Sequence, residues 1–345
     1  MSAPVNIGLI GLGQISVAHV EGYRRSPHVN IAAVCDVDGQ RADASATELD
    51  VKAYTDYREL LAESAIDAVD VILPHNLHHG VVGDALDAGK HVIVEKPLAL
   101  THDDCVDLID RARDAGLTLS VEENTRFVAA YVEVQRMLEA GTLGEIRLIR
   151  TIISGSEVSR LRNTSLWKGR KDGSGGGAII DAGPHSFYLL KWLFGEIATV
   201  RAFHDRLIDE AQVEDNGVVA GRLASGALFR CEFTFTAEVP WGERLEVYGS
   251  EGTVIVDQLL DPPAVHIRCN QDYDRVALEG VPFNPQGWKR ESIAVCVEQF
   301  AAALAEHRPP PVDAGDGAYG VLVSERAYAS AAQGGVELEL AAALS

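Results

Sequence analysis

Along the first third of the chain, short runs of aliphatic and β-branched residues alternate with stretches whose apolar positions recur every three to four residues. That alternation argues for a parallel sheet covered by crossover helices. Strands are expected at Val5–Ile10, Asn30–Asp36, Ala68–Pro74, His91–Pro97 and Leu117–Glu122, and helices at about Ile15–Arg25, Gln40–Leu49, His78–Ala88 and His102–Ala115. The last two helices stop at Gly89 and Gly116, where a left-handed cap suits glycine. After a further helix that closes near Ala140-Gly141, the apolar period shortens to two. The runs 146–155, 218–235, 244–257 and 264–269 read as five or six strands of a mainly antiparallel sheet. One helix at about Asp181–Leu193 interrupts them, and two more follow near Ser292–Glu306 and Asp316–Gln333. The pattern thus predicts an α/β N-terminal domain with a doubly wound parallel sheet over residues 1–123. An α+β C-terminal domain with an open, mainly antiparallel sheet follows over 124–345, the pattern changing near Glu122–Arg126.

Composition narrows the function classes. The 345 residues are 47% hydrophobic and 23% charged, which is globular, and no window approaches the roughly 18 uninterrupted apolar residues of a membrane span. The opening MSAPVNIGLIGLG has no basic leader and reads as a first strand, so the cytoplasm is the expected location. A net charge of −21 repels nucleic acid and anionic membranes, leaving a small molecule as the expected partner. Five scattered cysteines form no CxxC pair and suggest neither a disulfide framework nor a zinc site. One stretch opposes the acidic balance: Arg147, Arg150, Arg160, Arg162, Lys168, Arg170 and Lys171 face only Glu157. It either borders the mouth of a site for an anionic substrate or is a solvated run paired with acids elsewhere.

Gly11-Leu12-Gly13-Gln14-Ile15-Ser16 follows a strand and opens a helix, so backbone amides there can meet a pyrophosphate. Asp36, twenty residues past Ser16 at the end of the second strand, is placed to accept ribose hydroxyls, and together these features mark a dinucleotide-binding Rossmann unit. Asp36 and Asp38 would repel a 2′-phosphate and no Arg follows at once, which favours NAD over NADP. Pro74, Asn76 and His78 end the next strand and are expected to line the cofactor; no Cys, Asp or Glu completes a zinc set with the three nearby histidines, and no metal is expected. Glu95-Lys96-Pro97 closes a strand at the sheet edge where ligands sit, although Lys96 also has a bland reading as a solvated partner of Glu95. The Lys96-Pro97 bond is expected to be cis.

The run Gly175-Gly176-Gly177 leads into a helix with Asp181 and His185 four apart, on one face. A histidine can take a hydroxyl proton near neutral pH, and a carboxylate one turn away can orient it or hold substrate. The alternative is structural: Asp181 as the N-cap, Pro184 in the first turn and His185 in the core.

The glycine turn, the Pro74–His79 loop, Glu95-Lys96-Pro97, Glu123-Asn124-x-Arg126-Phe127 and the Gly175–His185 segment, in this order, resemble the Gfo/Idh/MocA oxidoreductases. The likeness extends to Leu143-Gly144, Trp167-Lys168-Gly169, Tyr248–Gly252 and Arg326–Ala331. The resemblance implies an NAD-dependent sugar or inositol dehydrogenase or reductase, moving hydride between nicotinamide and a secondary hydroxyl or ketone of a sugar, sugar derivative or cyclitol. It implies that Lys96 contacts the reacting hydroxyl, that His185 is the acid/base, and that Asp181 binds substrate or orients His185. Gly11, Gly13, Gln14, Ile15, Asp36, Pro74, Asn76, His78, Glu95 and Lys96 fall to the cofactor. Asn124, Arg126, Arg160, Arg162, Trp167 and Lys168 fall to the substrate with the three catalytic candidates. Two residues depart from the family pattern: Tyr188 stands where an Asp is frequent, and Pro184 precedes His185. A retained-cofactor glycosidase type and a non-catalytic sensor are the competing readings. An open sheet with a broad apolar face would pair copies into a homodimer or homotetramer.

Overall fold

The computed structural model describes residues 4–259, 264–269, 272–276 and 285–340. The chain divides into two compact units, residues 1–124 with 291–318, and residues 125–290 with 319–345.

The first unit holds β1 (Val5–Ile10), α1 (Ser16–Arg25), β2 (Val29–Cys35), α2 (Gly39–Leu49), β3 (Lys52–Tyr54), α3 (Tyr57–Leu61), β4 (Ala68–Val71), α4 (His78–Asp87), β5 (His91–Glu95), α5 (His102–Ala115) and β6 (Leu119–Glu122). Its sheet runs β3-β2-β1-β4-β5-β6, all parallel, so the chain reverses direction of travel between β1 and β4. Central strands are buried on both faces: Ile7, Leu9, Val69, Val92, Ile93 and Val94 expose nothing to solvent. The pattern misses β3 and α3 because three residues with one buried side chain carry no readable period.

The helix α10 (Pro285–Ala305) contributes most of its length to this first unit, whereas the sequence places all of it in the second. The reason is packing: Val297, Phe300, Ala301 and Leu304 join Ile7, Leu9 and Val34 in one core. Gly22 permits the approach, since a Cβ there would lie 2.3 Å from the Ala294 carbonyl oxygen.

The second unit holds α6 (Ala129–Glu139), β7 (Ile146–Ser154), α7 (Val158–Arg162), α8 (Lys171–Ser174), α9 (Ala178–Phe194), β8 (Ile197–Asp205), β9 (Asn216–Leu223), β10 (Leu228–Thr234), β11 (Gly242–Gly249), β12 (Gly252–Asp257), β13 (Ala264–Cys269), β14 (Asp272–Val276), most of α11 (Ala314–Ala332) and β15 (Leu338–Glu339). Among the described residues nine strands, more than the pattern suggests, lie in the order β14-β13-β12-β11-β7-β10-β9-β8-β15. Every neighbouring pair is antiparallel except β7 with β10, whose parallel register sets Leu228 beside Leu148 and Thr234 beside Ser154. One face packs on α9 through Ile149, Val200, Val219, Phe229 and Phe233. The opposite face is not the broad apolar surface expected from the alternation. Arg230, Glu232, Arg150, Glu246, Arg244 and Asp257 form a continuous ladder of ion pairs across it, with Leu148, Phe203, Val218 and Leu228 exposed around its edge. No helix among the described residues is long and apolar enough to cross a membrane.

Candidate active site

In the first unit the ligand-facing features lie at the carboxyl ends of the strands. Gly11 follows β1 with φ of +99°, and a Cβ there would meet the Ile72 carbonyl oxygen at 2.1 Å, so only glycine serves. At Gly13 a Cβ would touch nothing within 4 Å, which leaves open room above the turn. Ser16, in the place of the third small residue of the fingerprint, turns its hydroxyl back to the Gly13 carbonyl at 2.7 Å. α1 then starts with neither a capping side chain nor an acid in its first turn, so its positive end is left for an anion such as a pyrophosphate. Gln14 and Ile15 form the last step into that helix.

Asp36 is nearly buried. One carboxylate oxygen accepts the Leu12 amide at 2.9 Å and the other accepts the Asp38 amide at 2.9 Å, so the carboxylate locks the glycine turn to the end of β2. Arg41, which the sequence reading overlooked, reaches Asp36 at 3.1 Å and Asp38 at 3.4 Å. Asp38 itself caps α2 through the Gln40 and Arg41 amides. Open room over Gly13, the uncapped start of α1 and the Asp36 carboxylate together fit a dinucleotide.

Pro74 leads a short turn over His75–Leu77, in which Asn76 is exposed. His78 is fully buried, and its ring nitrogens face the backbone oxygens of Pro97 at 2.7 Å and Leu73 at 2.9 Å. Its ring therefore ties this loop to the segment after β5 and is not offered to a ligand, contrary to the sequence expectation. Burial pushes its imidazole below the usual range. His79 turns elsewhere, to Asp107 at 2.9 Å. The Lys96-Pro97 bond is cis, as expected. Asn124 is buried in the same unit and donates to Ser292 at 2.7 Å.

In the second unit the candidates converge on α9. Its N-cap is Gly177, so Asp181 lies inside the helix and Pro184 deeper still, which removes the reading of Asp181 as a cap. The start of the helix is held by Glu214 and Tyr328. Gly177 and Ile179 amides donate to the two Glu214 oxygens at 2.9 and 3.0 Å, the Tyr328 hydroxyl donates to Glu214 at 2.7 Å, and the Ile180 amide donates to Tyr328 at 3.2 Å. Burial and the Glu214 carboxylate hold the Tyr328 phenol well above its usual range, so it remains a donor. The glycines make this possible: a Cβ on Gly177 would fall 1.6 Å from the Glu214 carbonyl oxygen, and one on Gly176 would fall 2.2 Å from the Tyr328 hydroxyl. Pro184 is accommodated by Gly320 of α11, where a Cβ would stand 3.1 Å from the proline ring.

Asp181 and His185 are both buried, 9% and 7% exposed, which leaves each an edge to a ligand. The Asp181 carboxylate meets the Lys168 ammonium at 3.0 Å; Lys168 also contacts Glu157 at 3.3 Å and lies 5.4 Å from the centre of the Phe235 ring. His185 Nδ1 is 3.5 Å from the Thr125 hydroxyl. A small cavity beside His185 is lined by Tyr131, Thr151, Ser186 and Glu243. Arg126 donates to Tyr188 at 3.2 Å and lies over Trp192, on which Tyr188 also stacks. Tyr188, standing where Asp is frequent, is thus an anchor for Arg126. Trp167 sits in a short turn beside Gly173. Arg160 pairs with Glu157, and Arg162 with Glu210 on the surface. Lys168 is therefore joined to Asp181 directly, Arg160 only through Glu157, and Arg162 not at all by these contacts.

A parallel sheet with a glycine turn at its reversal point, followed by a helix presenting Asp and His to a mixed sheet, defines a nucleotide-dependent oxidoreductase architecture. Family models agree: the model for the oxidoreductase family with an NAD-binding Rossmann fold matches residues 5–123, and that for the GFO/IDH/MocA C-terminal domain matches residues 131–255. The chain belongs to the GFO/IDH/MocA oxidoreductase family. Its relatives include dTDP-3,4-didehydro-2,6-dideoxy-alpha-D-glucose 3-reductase of Streptomyces violaceoruber, 33% identical over 270 residues that cover 76% of this chain and 75% of that protein. Myo-inositol 2-dehydrogenase of Thermotoga maritima is 28% identical over 332 residues, covering 94% and 96%. Levoglucosan dehydrogenase in complex with NADH and levoglucosan shares the fold, with a TM-score of 0.89 over 98% of this chain and 100% of that one at 22% identity.

Proposed function

We propose that this protein is an NAD-dependent dehydrogenase or reductase acting on a secondary hydroxyl or ketone of an uncharged sugar or cyclitol. The observation that carries the reading is α9, which presents a buried Asp181 and His185 on successive turns while Lys168 holds the carboxylate. The cofactor supplies or accepts a hydride at its nicotinamide ring. Lys96 and His185 serve the substrate oxygen: His185 accepts the hydroxyl proton in oxidation, and the Lys96 ammonium steadies the negative charge that develops there. Asp181, paired with Lys168 at 3.0 Å, accepts hydrogen bonds from neighbouring substrate hydroxyls. The named relatives act on an inositol and on a nucleotide-linked deoxy keto sugar, which supports a substrate of the sugar or cyclitol class.

The basic run supports a neutral substrate over an anionic one, because Arg150, Arg160, Arg162, Lys168 and Arg170 each meet an acid within 3.8 Å. We assign NAD over NADP on Asp36 and Asp38, whose carboxylates at the end of β2 would repel a 2′-phosphate. Assembly into a homodimer or homotetramer is assigned to the open sheet face, with Leu148, Phe203, Val218 and Leu228 as its apolar contacts; light scattering of Phe203→Glu would show dissociation. Buried cysteine thiols at Cys35, Cys105, Cys231 and Cys296 support a reducing compartment, the cytoplasm. The deciding experiment mixes the protein with NAD and a panel of cyclitols, aldoses and sugar acids and follows reduced-nicotinamide absorbance. Growth with a neutral polyol, absent in Lys96→Met, supports the reading; a flat trace across the panel with NAD bound refutes it.

A further inference from the structure

At the end of β2 a cation stands on the carboxylate assigned to the cofactor ribose. Asp36 is almost buried, and one of its oxygens, Oδ2, accepts both the Leu12 amide at 2.9 Å and Nη1 of the Arg41 guanidinium at 3.1 Å. Its other oxygen, Oδ1, accepts the Asp38 amide at 2.9 Å. Arg41 lies in the first turn of α2, and its Nη2 reaches Asp38 Oδ2 at 3.4 Å. The guanidinium thus forks across the two carboxylates whose charge, taken alone, would repel a 2′-phosphate.

A count of lone pairs shows what this does to a ribose. Each carboxylate oxygen accepts about two hydrogen bonds. Leu12 and Arg41 fill Oδ2 and Asp38 takes one place on Oδ1, which leaves a single place on Oδ1. An adenosine ribose brings two neighbouring hydroxyls, so one present donor has to leave before the carboxylate accepts both. The two amides belong to the backbone of the glycine turn and of the end of β2, and they cannot leave without moving those elements. Arg41 can: its side chain is 48% exposed, and an ion pair so open to water contributes little.

We propose that Arg41 is a latch on the ribose acceptor and sets the margin between the two dinucleotides. In the free protein it occupies Asp36 Oδ2, and NAD binds by displacing it. A 2′-phosphate brings acceptors of its own, to which a planar, two-pronged guanidinium is suited. Arg41 therefore works against NAD and in favour of NADP, and it narrows a preference that Asp36 and Asp38 by themselves would make steep. The inference rests on the assignment of NAD to this unit and deepens it: the carboxylates choose the cofactor, and Arg41 sets by how much.

Calorimetric titration of NAD and of NADP into the wild-type protein and into Arg41→Ala tests this without turnover. The variant keeps the cap of α2, because Asp38 accepts the backbone amide of residue 41 and not its side chain alone. Arg41→Ala should bind NAD about two- to fivefold more tightly, the size of one exposed ion pair no longer to be broken. It should bind NADP about tenfold or more weakly, the loss of a charge-assisted contact. The sign for NAD is decisive, since removing a cation beside an anionic ligand weakens binding by electrostatics alone, whereas removing a latch strengthens it. An NAD affinity that is unchanged or weaker in Arg41→Ala overturns the proposal, and so does an NADP affinity that does not fall. Failure of the underlying reading looks different: a wild-type protein that binds neither dinucleotide refutes the cofactor assignment and the latch with it.

Discussion

The two units hold their candidate catalytic groups by different physics. Lys96 follows a strand whose Val92, Ile93 and Val94 are fully buried between two parallel neighbours, so its backbone is placed by the hydrophobic core. Asp181 and His185 ride on a helix whose start is placed by a polar assembly, Glu214 and Tyr328 against three amides. Core placement is spread over many side chains and tolerates loss of any exposed one. Polar placement is concentrated in a few atoms, and removing one leaves buried donors without acceptors. Lys96 itself can therefore be changed for function alone, whereas residues under α9 couple function to stability.

Predictions that break or sharpen this contrast run from large effects to small. Lys96→Met should lower turnover by about a thousandfold or more, within the range of general acid–base and charge-stabilising groups, while calorimetric NAD affinity and the melting temperature stay at wild-type values. A drop in melting temperature would show that Lys96 also supports the fold. His185→Ala should reduce kcat by about a hundredfold or more, and its rate should lose the pH dependence that a proton-accepting imidazole imposes. Glu214→Leu should reduce both turnover and stability, the latter by about 1–3 kcal/mol in urea unfolding, because the Gly177 and Ile179 amides lose their acceptors. Preserved stability there would erase the contrast. Lys168→Met should act mainly on KM, raising it by about tenfold, since an Asp181 without its cation is less well held for substrate.

Smallest is a pH effect on stability. His19 is raised in the folded state, so its contribution is fully present below the unfolded imidazole value near 6.5 and is lost as pH rises through the folded value. His78 is lowered, so it weakens the fold as pH falls through the unfolded value. Melting curves from pH 5 to pH 9 should show His19→Gln losing the alkaline slope while keeping the acid one.

Strand and helix order in the first unit was legible because its strands are continuous buried runs punctuated by glycine and proline. Less was visible where structure depends on distant partners. α10 reads as a helix but nothing local says that Gly22 of α1 opens a seat for it. β8 was missed because its second half, Arg201 to Asp205, is mostly exposed, and β15 because two residues have no period. The open sheet face looked apolar on alternation alone, since pairing of Arg150 with Glu232 and of Arg244 with Glu246 requires the register. At the candidate site, the residue types of Lys96, Asp181 and His185 stood out by their motifs. Glu214, Thr125 and His19 gave no signal, because their partners lie 35 or more residues away. Tyr328 was noticed only within a family-like segment, with no hint that its hydroxyl meets Glu214.

The single parallel pairing in the large sheet, β7 against β10, has a kinetic side. Parallel neighbours cannot be joined by a tight turn, and everything between them, α7, α8, α9, β8 and β9, belongs to one long crossover. The helix with Asp181 and His185 is therefore part of the loop that must close before the centre of the sheet can zip. Closing so long a loop is slow and local contacts reward it late, so half-assembled chains would lack both a continuous sheet and a seated α9. Maturation of this unit and acquisition of its chemistry become one event, and a nascent chain that has not completed β10 has no reactive helix to misuse.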